Sequence, residues 1–380
     1  MIGLLGGGQL GRMMIQAAHR LGERVTVLDP DGQGPAAQIA DAVITRDYDD
    51  KKGLDQLART CAAFTTEFEN VPAESLRYLA RFGATRPDGR CVAVAQDRID
   101  EKRFITACGV DVVPHAVITR LEDFDDLPAS LFPGILKSAR LGYDGKGQQK
   151  VHSMAEARSA WSAMGSVACV LEKRVALERE ISVIVARDLQ GEMAVFPVGE
   201  NIHRNGVLAV TRVPAAISHD LAEHARQAAC RIAQAMEYVG VLCVEFFVLS
   251  GGRLMANEMA PRPHNSGHHS IESCATSQFE QQVRICTQKP LGSTALHSPA
   301  VMLNVLGDAW FKSSDPPSEP DWQAVRAQPG VALHLYGKTD PRPGRKMAHV
   351  TCLGSTLPQA LVRARSVADI LGLDVGDGLT

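Results

Sequence analysis

Aromatic residues make up only 5% of this 380-residue sequence, so few rings are available for stacking nucleobases, and a formal net charge of −3 offers no surplus of cations for a polyanion. Nucleic acid is therefore not an expected partner. No uncharged run approaches membrane-spanning length, and the first apolar stretch starts at Ile2 without a basic leader, so neither a membrane span nor a signal segment is expected. The nine cysteines stand singly, odd in number and without a Cys-x-x-Cys pair, which argues against a disulfide framework or a thiolate metal centre. Reduced thiols in a cytoplasmic protein, mostly serving as core filler, are the expectation. With 45% hydrophobic and 22% charged residues, the composition is that of a globular protein long enough for two or three domains.

What is present begins with glycine. Residues 2–5 read as a strand, 6–11 as a glycine turn, 12–21 as a helix and 25–29 as a second strand, a βαβ opening. Gly6-x-Gly8-x-x-Gly11 matches the dinucleotide fingerprint, with helix N–H groups available to a phosphate and Asp29 placed where a ribose ligand would sit. A turn needed only for packing is the plainer alternative, and some phosphate is a better expectation than NAD. Short strands at 42–44 and 62–66 extend a parallel sheet expected to close near Ala95, giving a first domain of about 100 residues.

From residue 97 the pattern is α+β. A helix is expected over 97–108 and strands over 135–137, 169–172, 178–186 and 240–259, around an amphipathic helix with Leu221, Ala225, Ala228, Ile232 and Ala235 on one face. Gly142, Tyr143, Asp144, Gly145, Lys146, Gly147 and Gln148 lack the Lys-Ser/Thr pair and following helix of a Walker loop. Flanked by strands, they can close backbone N–H groups over phosphates as a flap, or form an ordinary hairpin turn. Lys137, at the end of the preceding strand, can reach the same anion. Glu172, Lys173, Arg174 and Val175 run from strand into turn and can present backbone groups to an adenine, with Glu180 on a ribose; without context they read as a solvated edge strand. His203 lies in a polar turn that alone reads as structural.

Glu245 interrupts the apolar run 241–248, and a carboxylate there needs a partner. Gly251 and Gly252 make a short turn that sets Glu258 opposite it on a neighbouring strand, an oxygen pair suited to magnesium; the alternative is a structural salt bridge, for example to Arg262. His264, His268 and His269 suggest zinc only weakly, because residues 265–267 break the helix that would align them. Further on, Lys338, Arg342, Arg345 and Lys346 crowd a stiff loop, 337–347, bracketed by strands 331–336 and 348–353, which is either a solvated basic loop or a phosphate cradle. A Pro/Ser-rich stretch spans 313–320.

Taken in order, Gly6-Gly7-Gly8-Gln9-Leu10-Gly11-Arg12-Met13, Thr66-Glu67-Phe68-Glu69-Asn70-Val71, the flap 142–148, the segment 260–268 ending His264-Asn265-Ser266-Gly267-His268, and Arg342-Pro343-Gly344-Arg345-Lys346 make the chain resemble the ATP-grasp enzymes. Within these it resembles the 5-(carboxyamino)imidazole ribonucleotide synthetases of purine biosynthesis, the ATPase subunit of phosphoribosylaminoimidazole carboxylase, over nearly its whole length. The formate-dependent glycinamide ribonucleotide transformylases share the architecture but not the His-Asn-Ser-Gly-His ending. The resemblance implies an α/β and α+β chain: a Rossmann-like parallel-sheet domain at 1–96, an ATP-grasp domain at 97–292 with a flap subdomain near 110–170, and a small β-rich domain at 293–380.

It also implies a reaction in which ATP phosphorylates bicarbonate to carboxyphosphate, which carboxylates the exocyclic amine of aminoimidazole ribonucleotide. By position, Arg98, Lys137, residues 142–148, Glu172, Lys173, Arg174, Val175, Glu180 and His203 would hold ATP together with Asn257 and Glu258, and Glu245 and Glu258 would hold Mg2+. The ribonucleotide would meet Asp144, Arg262, His264, Asn265, Ser266, Lys338, Arg345 and Lys346, with its phosphate near Gln9 and Leu10. Asp144 would orient the amine or take its proton, while Arg262 and His264, with Lys338 also catalytic, stabilise carboxyphosphate. Glu67 or Glu69 would line the same pocket, and the family is typically homodimeric. Lys173 and Arg174 depart from the family's usual, less basic, adenine-side segment. A nicotinamide-dependent oxidoreductase and a non-catalytic nucleotide-binding regulator are the rival readings.

Overall fold

The structure, a computed structural model, describes residues 1–142, 147–311 and 317–379. The opening alternates β1 (Ile2–Leu5), α1 (Gln9–Arg20), β2 (Val25–Asp29), β3 (Ala42–Thr45), α2 (Lys51–Thr60), β4 (Ala63–Thr66), α3 (Ala73–Leu79), β5 (Ala84–Thr85) and α4 (Gly89–Ala95). Its five strands form a parallel sheet in the order β3-β2-β1-β4-β5. The continuous apolar runs of β1 and β2 are explained by burial on both faces. The sheet ends at Thr85, earlier than expected, because 89–95 is helical, started by the Asp88 carboxylate accepting from Arg90 N–H.

A four-stranded antiparallel sheet follows, led in by α5 (Arg98–Ala107) and built from β6 (His115–Ile118), β7 (Gly134–Ser138), β8 (Gln148–Val151) and β9 (Cys169–Lys173), with α6 (Met154–Ala163) before the last strand. The order is β6-β9-β7-β8, so β9 is internal, not the edge strand that its charges suggest. Residues 143–146 of the expected flap, between β7 and β8, lie outside the described residues.

The largest sheet takes β10 (Leu177–Arg187), β11 (Met193–Val195), β12 (Gly199–Arg204) and β13 (Val207–Val213), then, after α7 (His219–Ala235), β14 (Gly240–Leu249) and β15 (Arg253–Ala260). α8 (Ser270–Ser273) and α9 (Gln278–Cys286) lead to β16 (Ala300–Leu306), α10 (Trp322–Arg326), β17 (Val331–Leu335), β18 (Lys346–Leu353) and α11 (Leu357–Leu371). The path runs β15-β14-β10-β12-β13-β16-β18-β17, with β11 on β10. The carboxy-terminal strands, expected as a small β-rich domain, pair antiparallel and extend the central sheet through the β13–β16 pairing.

α7 is capped by Ser218 and buries Ala225, Ala228, Ala229, Ile232 and Ala233. Ala235, expected on that face, is exposed, and Met236 takes its place in the core as the helix ends. Eight of the nine cysteines carry thiols that burial pushes up, and all nine are free, consistent with their reading as core filler. Among the described residues, no helix is long and apolar enough to cross a membrane.

Candidate active site

Loops and strand ends from all three sheets meet at a cavity of about 750 Å³. The amino-terminal region contributes Gly8, Gln9, Leu10, Glu67 and Glu69, and α5 contributes Arg98 and Glu101. Lys137, Gly142 and Gln148 face it from the flap sheet, and Glu180, His203, Glu245, Asn257, Glu258, Arg262, His264, Asn265, His268 and Lys346 from the central sheet and its loops.

Glu245 on β14 and Glu258 on β15 are paired residues of the ladder, immediately before a register shift. The sequence-based alternative of a bridge to Arg262 is not what forms: Glu258 takes Arg98 Nη1 at 3.0 Å and Glu245 lies 3.4 Å from His264 Nε2. Burial, then the charge of Glu258, pushes the Glu245 carboxyl well up from its ordinary value. Burial acts the same way on Glu258, but Arg98 and Lys137 outweigh it and hold that carboxyl down. Two opposed buried carboxylates, beside an Asn257 Oδ1 that has no partner, are an oxygen donor set that would fit a divalent cation. No zinc set accompanies them: His269 Nδ1 is 2.8 Å from Ser273 Oγ, His268 packs on Phe279 and His349, and no group of three His, Cys, Asp or Glu suited to a metal occurs among the described residues.

Arg262 is held by Glu69 through its Nε and by the Pro263 carbonyl at 3.0 Å. Of the two candidate glutamates, Glu69 is thus the one that pairs with a cavity cation. His264 is clamped on three sides. Gln278 accepts from its N–H at 2.8 Å and donates to its carbonyl at 2.6 Å, while Ser266 Oγ lies 2.9 Å from Nδ1 and is itself 2.8 Å from Ser182 Oγ. Burial, reinforced by Arg262, lowers its pKa to about 3, so the ring is neutral. Asn265 lines the cavity with both amide atoms buried and without partners, an unsatisfied group poised for a ligand.

Toward the flap sheet, Lys137 Nζ is 2.7 Å from Glu172 Oε2. His203 Nδ1 lies 3.0 Å from Glu180 Oε2; burial opposes its protonation, but Glu180 and the more distant Glu245 and Glu258 win and raise its pKa.

Other expected residues lie elsewhere. Tyr143, Asp144, Gly145 and Lys146 fall outside the described residues. Glu172 is buried behind the wall. The N–H groups of Lys173 and Arg174 are spent on Pro114 and Pro133 carbonyls, each at 2.9 Å, so those donors are not offered to an adenine. Ser266 does not line the cavity; it supports His264. Lys338 reaches its rim, with Nζ 3.1 Å from Gln9 Oε1 and 2.7 Å from the Lys346 carbonyl. Arg345 donates to the Asp340 carbonyl at 2.6 Å and lies away from the lining. Lys346, placed by sequence in the loop, opens β18 and does line the cavity.

The glycine turn is the clearest correction. Three of its N–H groups are already taken: Gly7 donates to Asp29 Oδ2 at 2.6 Å, and Gly8 and Gly11 donate to the two oxygens of Glu67 at 2.8 and 3.1 Å. Asp29 also accepts from Tyr48 Oη at 2.5 Å, leaving it no ribose role. A Cβ on Gly8 would lie 2.6 Å from Glu67 Oε1, so glycine is required by the approach of an internal carboxylate, not of a dinucleotide. Sequence reading missed Glu67 as this cap, Gln278 as the clamp, and Lys102, which touches Glu172. Only Lys102 left a signal: it stands four residues after Arg98 on one helix face.

The chain matches the ribonucleotide synthetase preATP-grasp domain over residues 1–96, the ATP-grasp domain over 103–279, and the phosphoribosylaminoimidazole carboxylase C-terminal domain over 300–363. It is 45% identical to the N5-carboxyaminoimidazole ribonucleotide synthase of Brucella melitensis biotype 1 across 92% of this chain and 95% of that protein. It superposes with a TM-score of 0.90 and 37% identity on the N5-carboxyaminoimidazole ribonucleotide synthetase of Thermus thermophilus, covering 98% and 99% of the two chains. The Aspergillus clavatus N5-carboxyaminoimidazole synthase in complex with ADP and 5-aminoimidazole ribonucleotide gives 0.88 at 29% identity, covering 98% of each.

Proposed function

This chain belongs to the N5-carboxyaminoimidazole ribonucleotide synthases, ATP-grasp ligases of purine biosynthesis, and from that premise we propose how its cavity carries out the ATP-dependent carboxylation of 5-aminoimidazole ribonucleotide. Bicarbonate is the carboxyl donor. One of its oxygens attacks the γ-phosphorus, the bond to the ADP oxygen breaks, and carboxyphosphate forms. The amine nitrogen then attaches to the carboxyl carbon, phosphate leaves, and the nitrogen gives up a proton. Such transfers depend on positioning and on fixed charge more than on a covalent nucleophile.

The observation that carries the reading is the convergence on one cavity of Arg98, Lys137, Arg262 and Lys346 with the opposed Glu245 and Glu258 and the unpartnered Asn265 amide. Lys137 and the flap take the polyphosphate, Glu180 and His203 the ribose, and the base lies against the backbone of the segment ending at Val175, without the Lys173 and Arg174 N–H groups, which are spent. Glu245 and Glu258 hold Mg2+, which supplies charge neutralisation to the phosphate oxygens when bound. Arg262, fixed by Glu69, and the neutral His264 stabilise carboxyphosphate; Asp144 orients the amine or accepts its proton. Asn265 and Lys346, with Lys338 at the rim, recognise the ribonucleotide, Arg345 contributes at most from outside the lining, Ser266 acts through His264, and Gln9 and Leu10 lie at the start of α1 near its phosphate. A cytoplasmic homodimer completes the proposal.

Purified protein with ATP, magnesium and bicarbonate should release phosphate at a rate strongly stimulated by 5-aminoimidazole ribonucleotide, with NADH absorbance unchanged. Phosphate release indifferent to the ribonucleotide would overturn the assignment. Sedimentation at the monomer mass would remove the dimer.

A further inference from the structure

Behind the nucleotide wall lies a buried cation without a part in this mechanism. Lys102, on α5, has a side chain only 1% exposed, and its Nζ sits 2.8 Å from Glu172 Oε1 while Lys137 Nζ holds the other oxygen at 2.7 Å. Within this triad two ammonium groups share one carboxylate where water hardly reaches. A one-to-one pair would satisfy Glu172, and the second cation is met only at longer range, Lys137 by Glu258 and Lys102 by Glu101, at a cost that a direct anion would relieve. Lys137 borders the cavity and Lys102 does not, so an arriving anion meets Lys137. Lys102, by occupying half of Glu172, leaves Lys137 free to answer it. The same ammonium lies 3.5 Å from the Asn257 carbonyl, one residue before Glu258, so it touches both the β9 wall and the β15 wall.

We propose that Lys102 is a positioning residue for the nucleotide: it shares Glu172 with Lys137, ties β9 to β15, and so keeps Lys137 from being spent on Glu172 alone and available to a polyphosphate. This rests on the reading that a nucleotide occupies the cavity.

The test measures ADP affinity calorimetrically on the whole protein, without bicarbonate or ribonucleotide, together with both Michaelis constants. Lys102→Met leaves a one-to-one Lys137–Glu172 pair and is expected to fold. It should weaken ADP about 10- to 100-fold, the effect of removing one charge from the layer directly behind the cavity wall at partly screened dielectric. The KM for the ribonucleotide should stay within about twofold, and Lys102→Arg should recover most of the loss, as expected when charge rather than shape is at issue. Lys102→Gln, which keeps donors but no charge, carries the same expectation if the Met variant does not fold. ADP affinity unchanged in the neutral variants, or ADP and ribonucleotide weakened alike, overturns the inference. Lys137→Met separates this from the underlying reading: if it too leaves ADP binding intact, the nucleotide is not in this cavity at all.

Discussion

Replacing Glu245 with Gln removes one of two carboxylates that face each other across β14 and β15, and the expected consequence is a protein that is more stable but inactive. At the separation of about 5 Å usual for directly opposed strand residues, and an effective dielectric of about 20, two such charges repel by about 3 kcal/mol. Arg98, 3.0 Å from Glu258, offsets part of this. A net gain of about 1–2 kcal/mol, or a few degrees in Tm, is therefore expected for Glu245→Gln in magnesium-free buffer. Glu258→Gln should behave oppositely: it strands Arg98, whose side chain is 18% exposed, at a cost of about 1–3 kcal/mol. Both should nearly abolish phosphate release.

The pH dependence follows from the direction of the Glu245 shift. Burial and the charge of Glu258 raise its folded pKa above the ordinary 4.5. At low pH the carboxyl is protonated in both states and costs nothing. As pH rises past 4.5 the unfolded state ionises first, so wild-type stability falls until the folded pKa is passed. Glu245→Gln lacks that loss, and its advantage should widen between about pH 5 and pH 8. Thermal unfolding of both proteins across this range, with EDTA and then with excess magnesium, reads the effect; wild type should gain Tm on adding magnesium and the variant should not. A Glu245→Gln protein that is less stable than wild type in EDTA at high pH, or that still gains Tm with magnesium, would refute the repulsion argument.

Glu67→Ala should lower stability by about 2–3 kcal/mol, since it strips both acceptors from the start of α1; denaturant unfolding checks it, and no loss would mean that water caps the turn equally well. Lys346→Ala should raise the ribonucleotide KM at least about tenfold, and Arg345→Ala, tied to Asp340 off the lining, by less; steady-state kinetics showing the reverse order would return the loop arginine to the phosphate. His269 is buried, and burial lowers its pKa to about 4 from 6.5, so below pH 6.5 the unfolded state alone takes up its proton. Stability should then fall by up to about 1.4 kcal/mol per pH unit down to the folded pKa, and His269→Gln should flatten that slope in unfolding curves; an unchanged slope would assign it to other histidines.

Much of this architecture could be read from local chemistry. Period-two apolar runs, glycine turns and helix caps such as Asp97 and Ser218 act over a few residues, so the βαβ opening, the strand pair flanking the glycine-rich segment and the β14–β15 hairpin with its facing glutamates are written in short stretches. Partnerships across long separations are not. Gly6-x-Gly8-x-x-Gly11 is the same string whether its N–H groups meet a phosphate or a carboxylate from position 67, and only the packing of β4 beside β1 decides for Glu67. Lys102 looks like a solvated helix charge until β9 brings Glu172 to it. Ser266 and Arg345 belong to motifs that suggest ligand contact, yet one is turned inward to Ser182 and the other to Asp340, because a side chain's direction depends on which backbone lies against it. Sequence thus determined which chemical groups are present and the elements that carry them. Tertiary packing alone decided which of those groups satisfy one another and which, like the Asn265 amide, remain open for a ligand.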